Sequence, residues 1–123
     1  MKNNNVEQLK KLTTDFGAYI VNLSARLNKQ PGIDFDILAE LFVSGTAIGS
    51  YIYEATSANK HKPDSKVPAN PAGEIKKVLT EINAEIANTK EYAKQLYGLK
   101  SISVTEHTEI LSRLQQIESA LIE

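Results

Sequence analysis

The sequence predicts an all-α protein, an antiparallel up-down four-helix bundle that forms a single domain over residues 1–123. Four long segments repeat apolar residues every three or four positions, which is the period of an amphipathic helix. A hydrophobic content of 41% in 123 residues is enough for one such core. No segment alternates as a strand does, and the prolines avoid the helix interiors; they are Pro31, Pro63, Pro68 and Pro71.

The first helix is predicted over residues 5–29. Gln30-Pro31-Gly32 ends it, because proline and glycine are typical of the positions that follow a helix. Its apolar residues step by three or four along one face; they are Leu9, Leu12, Phe16, Ile20, Leu23 and Leu27.

The second helix is predicted over residues 34–58, with Asp34 or Asp36 as its N-cap. Gly45 and Gly49 each lower the intrinsic helix propensity by about 1 kcal/mol. Packing against other elements therefore has to stabilise this helix. Its predicted apolar face consists of Phe35, Leu38, Leu41, Phe42, Ile48 and Ile52.

A long loop is predicted over residues 59–70, which contain two prolines and many polar turn formers. The third helix follows over residues 71–97, with Gly98 as its C-terminal cap. Its apolar residues step alternately by four and three, which is a heptad pattern. They are Ile75, Leu79, Ile82, Ile86, Thr89, Ala93 and Leu96.

The fourth helix is predicted over residues 103–122. Ser103 at the N-cap and Glu106 three positions later match a capping box, in which each side chain bonds the backbone of the other residue. The residues expected to point inward are Ile110, Leu111, Leu114, Ile117 and Leu121.

Composition and net charge exclude several classes of function. The absence of cysteine excludes disulfides, thiolate metal sites and cysteine nucleophiles. A net charge of −1 argues against a strongly basic nucleic-acid binder. The sequence starts with polar residues and has no run of roughly 20 apolar ones. We therefore expect a soluble, cytoplasmic protein without a membrane partner.

No catalytic, cofactor-binding or metal-binding residue is predicted, so we do not expect an enzyme. Neither His61 nor His107 has a glutamate three positions before it, as the di-iron bundles require. A magnesium-dependent hydrolase is the distant enzymatic alternative, although solvated helix faces explain its acids more simply. These acids are Glu81, Glu85 and Glu106.

Clusters of basic residues could bind phosphate groups of nucleic acid without sequence preference. Few aromatic residues accompany them for base stacking, and ordinary solubilising lysines remain the simpler explanation. The candidate nucleic-acid contacts are Lys10, Lys11, Arg26, Lys60, Lys62, Lys66, Lys76 and Lys77.

The stretch from Leu41 to Ala55 combines an apolar stripe with many small residues. One bundle core cannot bury all of its bulky side chains, so we expect some of them to contact another subunit. The candidate interface residues are Phe42, Gly45, Ile48, Gly49, Tyr51 and Tyr53.

This stretch resembles the signature of the four-helix-bundle proteins encoded in intervening sequences of 23S ribosomal RNA. The resemblance extends over about residues 35–120, and the family's common arginine is replaced by Val43. The matching residues are Ser44, Gly45, Thr46, Ile48, Gly49, Ile52, Glu54 and Ala55, then Glu85, Thr89 and Tyr92, and finally Ile102-Ser103.

The resemblance implies a homo-oligomer, a pentameric barrel, and no defined activity for this branch. A related branch comprises the accessory variability proteins of diversity-generating retroelements, which bind reverse transcriptase and nucleic acid. The leading hypothesis is thus a non-enzymatic oligomeric scaffold or adaptor associated with RNA or DNA. The alternative is a protein-interaction module with no nucleic-acid role.

Overall fold

The computed structural model describes the backbone of residues 3–58 and 71–122 and the side chains of residues 6–54 and 78–121. The described backbone forms four α-helices and no strand, which confirms the all-α, four-helix prediction. The helices are α1 (Asn3–Leu27), α2 (Phe35–Ala58), α3 (Pro71–Gly98) and α4 (Val104–Ile122). The predicted loop over residues 59–70 lies outside the described part.

Local hydrogen bonds explain where α2 and α4 begin. The Asp34 carboxylate accepts a hydrogen bond from the Ile37 N–H at 3.1 Å, so Asp34 is the N-cap of α2. Before α4, the Ser103 N–H donates to Glu106 at 2.9 Å, and the Glu106 N–H donates back to the Ser103 hydroxyl at 3.1 Å. The predicted capping box is therefore confirmed.

The end of α3 differs from the prediction that Gly98 caps it. Gly98 is the last residue of the helix, and the left-handed conformation falls on Lys100, with φ of 62°. The Ser101 N–H donates to the Leu96 carbonyl at 2.9 Å, and the Lys100 N–H donates to the Tyr97 carbonyl at 3.0 Å. These two bonds define a Schellman motif, which needs its left-handed residue at Lys100.

All four helices contribute side chains to one buried core. It includes Leu9, Phe16, Ile20, Leu23 and Leu27 of α1, Leu38, Leu41, Ile48 and Ile52 of α2, Ile82, Ile86, Ala93 and Leu96 of α3, and Ile110, Leu114, Ile117 and Ala120 of α4.

Three residues predicted to point inward are exposed instead: Phe35, Phe42 and Leu111. On α2, Leu38, Leu41, Ile48 and Ile52 already fill the stripe that faces the core. Phe35 and Phe42 are seven positions apart and lie about one quarter-turn around the helix, toward α1. The apolar residues of α2 therefore extend over a wider part of the helix circumference than the core covers.

Among the described residues, α2 contacts α1 and α3, while α4 contacts the same two helices from the other side. The backbones of α1 and α3 do not adjoin each other, and neither do those of α2 and α4, in the part of the chain that the structure describes. α2 therefore presents two lateral boundaries, one shared with α1 and one shared with α3.

Candidate functional site

α2 is the most apolar of the four helices, yet much of it is not covered. Its segment Phe35–Glu54 has a mean hydropathy of 1.3, and 33% of it is buried within the chain. By length and composition this segment could cross a membrane. The same composition is typical of a helix that packs against protein on more than one side.

A groove runs along the boundary between α1 and α2, and we call it the α1–α2 groove. Its apolar end encloses about 560 Å³ and contains no charged residue. Three large apolar side chains are exposed there: Phe35 by 59%, Phe42 by 41% and Val43 by 60%. The residues that line this end are Val21, Ser24, Ala25, Asn28, Phe35, Leu38, Ala39, Phe42 and Val43.

The groove continues past Val21 into a second part, the small-residue end, which encloses about 450 Å³. Here the lining is mostly glycine, alanine, serine and threonine, so another backbone could come close. Tyr53 stands at its rim and is 67% exposed. The lining residues are Thr13, Thr14, Gly17, Ala18, Val21, Thr46, Gly49, Ser50, Tyr53 and Glu54.

Ser24 is the one polar group of the apolar end that lies deep in its floor. The residue is 7% exposed, and its hydroxyl has no hydrogen-bond partner among the described residues. A buried hydroxyl that exchanges water for no other partner costs about 1–3 kcal/mol. Because the oxygen itself has almost no accessible surface, this cost falls on the folded chain and offers no contact to a molecule in the groove.

The predicted interface residues fall into three groups. Ile48 is fully buried in the core, and Gly45 is buried against the Ile20 side chain. This burial contradicts their assignment to a contact with another subunit. Gly49 is half-buried beside the Thr13 backbone and lines the groove.

The three aromatic candidates remain accessible. Phe42 and Tyr53 line the α1–α2 groove, whereas Tyr51 is half-buried on the opposite side of α2, toward α3. The side toward α3 carries four carboxylates around two tyrosines, and we call it the acidic α2–α3 surface. It consists of Glu40, Tyr51, Glu81, Glu85, Glu91 and Tyr92.

Both tyrosines of the acidic α2–α3 surface have raised pKa values. Burial is the main cause of the raised pKa of Tyr51, and the carboxylates of Glu81, Glu85 and Glu54 raise it further. Burial also raises the pKa of Tyr92, helped by the charge of Glu40 and by a hydrogen bond from the phenol to that carboxylate.

Beneath this surface, two buried hydroxyls join α2 to α3. The Thr89 hydroxyl donates to the Glu85 carbonyl at 2.6 Å and lies within hydrogen-bond distance, 3.1 Å, of the Ser44 hydroxyl. Ser44 is 3% exposed and Thr89 is fully buried. Unlike Ser24 on the other side of α2, these hydroxyls find partners inside the chain.

The described basic candidates do not gather into one surface. Lys10 pairs with Glu7 at 3.6 Å, Lys11 pairs with Asp15 at 3.4 Å, and Arg26 forms an ion pair with Glu106. Arg26 thus faces α4, on the side of α1 away from the groove. The remaining candidates lie outside the described side chains; they are Lys60, Lys62, Lys66, Lys76 and Lys77.

The other titratable candidates have structural contacts. His107 stacks on Tyr97 with ring centroids 4.7 Å apart, and Glu106 belongs to the capping box. Glu81 and Glu85 lie on the acidic α2–α3 surface. Within the described residues, no group of three or more histidine, cysteine, aspartate or glutamate side chains could hold a metal ion.

No protein-family model, curated protein or solved structure matches this chain.

The sequence predicted only the α2 half of the groove. Phe35 was expected in the core, and the α1 half was not predicted, including Ser24 and Val21. A signal was present: Gly17, Ala18 and Ala25 are small residues at helical spacing on α1, beside the apolar face. The pairing of that small-residue stripe with the one on α2 required the tertiary structure.

Proposed function

We propose that this chain is a non-enzymatic, homo-oligomeric four-helix bundle whose copies associate through the α1–α2 groove. One observation carries the proposal: Phe35, Phe42 and Val43 are exposed together in a groove whose apolar end has no charge. Burial of apolar surface is the main source of free energy in protein association. Contiguous apolar patches on soluble proteins often mark interaction surfaces.

The free energies of burial and of association favour a contact that covers both ends of the groove. Complete burial of a Val or Phe side chain contributes about 1.5–3 kcal/mol. Because these three side chains are already about half-covered, an interface would gain roughly 1 kcal/mol from each. Association costs roughly 4–15 kcal/mol in lost freedom, so the small-residue end has to contribute contact area as well.

We also propose that neighbouring helices run antiparallel in an up-down order. The support is that Gly45 lies against Ile20, whereas Gly49, further along α2, lies against Thr13, which is earlier on α1. Positions that pair between α3 and α4 reverse in the same way: Lys90 with Glu118, and Tyr97 with His107.

Light scattering on a sizing column tests the self-association. A monomer has a mass of 13.6 kDa, and the five copies implied by the family resemblance would give about 68 kDa, five times 13.6 kDa. A monomer at micromolar concentration would refute the proposal. Binding of the wild type to neutral phospholipid vesicles in place of self-association would also refute it.

A matched pair of variants locates the contact. Val43 in the groove and Val104 at the start of α4 are both 60% exposed. We expect Val43→Asp to weaken association at least roughly tenfold, because it places a charge in an interface that buries no partner for it. Val104→Asp should leave the association unchanged. Equal effects of the two variants would contradict an assembly through the groove.

Nucleic-acid association ranks second, because Lys10, Lys11 and Arg26 each face an acid of the same chain. An unpaired basic surface would favour phosphate binding more strongly. Binding to structured RNA measured at about 50 and about 200 mM salt tests this function, since phosphate contacts weaken steeply with salt. Tight binding that falls with salt would move this function to first place.

A further inference from the structure

We infer that the end of the bundle at the α3–α4 turn binds the surface of an anionic lipid bilayer, and we call this end the α3–α4 tip. It consists of Lys94, Tyr97, Leu99, Lys100 and Val104, all of which are exposed. Such a peripheral contact does not require a membrane-spanning helix. The inference goes beyond the proposed self-association and does not depend on it.

The exposed apolar side chains form two separate groups. Nine large apolar side chains are exposed among the described residues, and five of them line the α1–α2 groove. The other four lie at or near the α3–α4 turn, where Leu99 is 58% exposed; they are Tyr97, Leu99, Val104 and Leu111. Neither end of the groove includes these four, so self-association through the groove leaves them uncovered.

Contacts across the α3–α4 turn bring this second group together. The Tyr97 ring stacks on the His107 ring, with centroids 4.7 Å apart. Val104 lies three positions before His107 and Leu111 four positions after it, so both are its neighbours on the surface of α4. Leu99 belongs to the turn itself. The second group therefore takes side chains from α3, from the turn and from α4.

The basic side chains also divide into two groups. Of the eight lysine and arginine side chains that the structure describes, five pair with an acid; they are Lys10, Lys11, Arg26, Lys90 and Arg113. The three without an ion pair among the described residues are Lys29, Lys94 and Lys100. The Gln30 amide donates to the Ser101 carbonyl at 3.2 Å, so Lys29 and Lys100 lie in two turns at the same end of the bundle.

The acids at this end do not compete for the lysines of the tip. Residues 92–105 contain two lysines and no acid. Asp34 and Asp36 belong to the start of α2, where the positive end of the helix dipole offsets their charge. Glu106 is engaged by Arg26. An anionic surface therefore complements the tip in charge.

The backbone of the turn is suited to an apolar surrounding. A backbone polar group that enters lipid without a partner is costly. The N–H groups of Leu99, Lys100 and Ser101 all donate to carbonyls of α3, at 3.0, 3.0 and 2.9 Å. The Ser101 carbonyl in turn accepts the bond from Gln30. The turn can enter the headgroup region while these bonds remain intact.

The mixture of apolar and basic side chains favours a bilayer over a nucleic acid. Phosphate groups of either would pair with Lys94 and Lys100, but only a bilayer would also bury Leu99 and Val104. Tyr97 suits the boundary of a bilayer, because a tyrosine ring is apolar and its hydroxyl is polar. Neutral lipids would leave the lysines without a partner, so the expected ligands are anionic lipids.

Flotation of the full chain with phospholipid vesicles tests the inference. The wild type should bind vesicles of phosphatidylcholine and phosphatidylserine, and should bind pure phosphatidylcholine at least roughly tenfold more weakly. Val104→Asp should weaken binding to the anionic vesicles at least roughly tenfold, because it removes an apolar contact and adds a charge that the lipid repels. Ser119→Asp is the charge-matched control, exposed on the same helix about 22 Å further along, and should stay within about twofold of the wild type.

Two uncharged substitutions separate the apolar and the basic contributions. Leu99→Ser should weaken binding to the anionic vesicles about fivefold or more, because the variant has little apolar surface to bury. Lys94→Gln should weaken it about fivefold, which is the contribution of one lysine near an anionic surface. Lys11→Gln, near the other end of the bundle, should leave it unchanged.

Weakened binding in Val104→Asp and Leu99→Ser, with both controls unchanged, supports the inference. A wild type that does not bind the anionic vesicles would overturn it, as would equal effects of Val104→Asp and Ser119→Asp. Salt-sensitive binding to structured RNA without vesicle binding would overturn it in favour of a nucleic acid, and binding to neither would overturn it in favour of a protein occupant. A monomeric wild type that binds the anionic vesicles would refute only the proposed self-association.

Discussion

The two sides of α2 differ in their polar groups. Toward α1, the apolar end of the groove has no charge, and Ser24 has no partner among the described residues. Toward α3, four carboxylates surround two tyrosines, and the buried Ser44 and Thr89 hydroxyls bond to each other. On the α3 side the buried hydroxyls are thus paired within the described chain, whereas the α1 side leaves Phe35, Phe42 and Val43 exposed.

This difference separates stability from association. A side whose polar groups are satisfied inside the chain should respond to substitution mainly through the free energy of unfolding. A side with exposed apolar groups should respond mainly through the association constant. Substitutions on the two sides of α2 should therefore change two different measured quantities, the free energy of unfolding on one side and the association constant on the other.

The two glycines of α2 give the largest expected difference. At Gly45 a methyl group would meet Ile20 side-chain carbons at 3.0 and 3.2 Å, whereas at Gly49 the nearest atom is the Thr13 carbonyl oxygen at 3.5 Å. Ile20 is fully buried and stiff, so Gly45→Ala should cost about 1–3 kcal/mol. Gly49→Ala should instead gain about 0.5–1 kcal/mol from helix propensity.

Urea unfolding measures both glycine variants. The measurements belong in the Val43→Asp background, in which we expect the proposed association to contribute little to the apparent stability. Two variants that shift the free energy of unfolding in the same direction by the same amount would show that Gly45 does not pack more tightly than Gly49.

The buried hydroxyls give the next effect, with opposite signs on the two sides. Thr89→Val keeps the shape but removes the bonds to Glu85 and Ser44, and should destabilise the chain by about 1 kcal/mol. Ser24→Ala removes an unpaired hydroxyl and should stabilise the monomeric Val43→Asp background by about 1 kcal/mol.

If the wild type associates as proposed, Ser24→Ala should leave the association constant within about twofold of the wild-type value, because the Ser24 oxygen has almost no accessible surface for a second copy to contact. Thr89→Val should leave the association constant unchanged. Sedimentation and urea unfolding on the same samples separate the two effects. An oligomer that weakens by clearly more than this when Ser24 becomes alanine would mean that a second copy contacts the hydroxyl.

The smallest effect concerns alkaline pH. The pKa of Tyr92 is raised by burial and then by Glu40, so the folded state favours the protonated phenol. Its contribution to stability is therefore complete below about pH 10 and is lost as the pH rises through the raised value. Glu40→Gln should move the ionisation of Tyr92 to lower pH, as followed by tyrosinate absorbance. Glu7→Gln on α1 should not move it.

Much of the fold could be predicted because its signals are local. Periodic leucines and isoleucines specified the four helices, and the Ser103–Glu106 spacing specified the start of α4, which hydrogen bonds confirm. The end of α3 was predicted less well. Glycine is the usual left-handed residue, but the bonds from Lys100 and Ser101 place that conformation two positions after Gly98.

The candidate site was predicted only in part, because exposure depends on which neighbours fill the core. Phe42 and Phe35 have the spacing of core residues, yet both are exposed, whereas Ile48 and Gly45 lie inside. The helical period predicts which face of a helix is buried, but it does not predict how much of the helix circumference the neighbouring helices cover.

The sequence by itself determined four amphipathic helices, their caps and an excess of apolar and small residues on α2. These properties follow from backbone hydrogen bonding within a few residues and from the helical period. The tertiary structure determined which of these apolar and small residues of α2 remain exposed to solvent. The α1–α2 groove and the large apolar side chains exposed along it exist only because α1 and α2 pack side by side, with contacts between residues far apart in the chain.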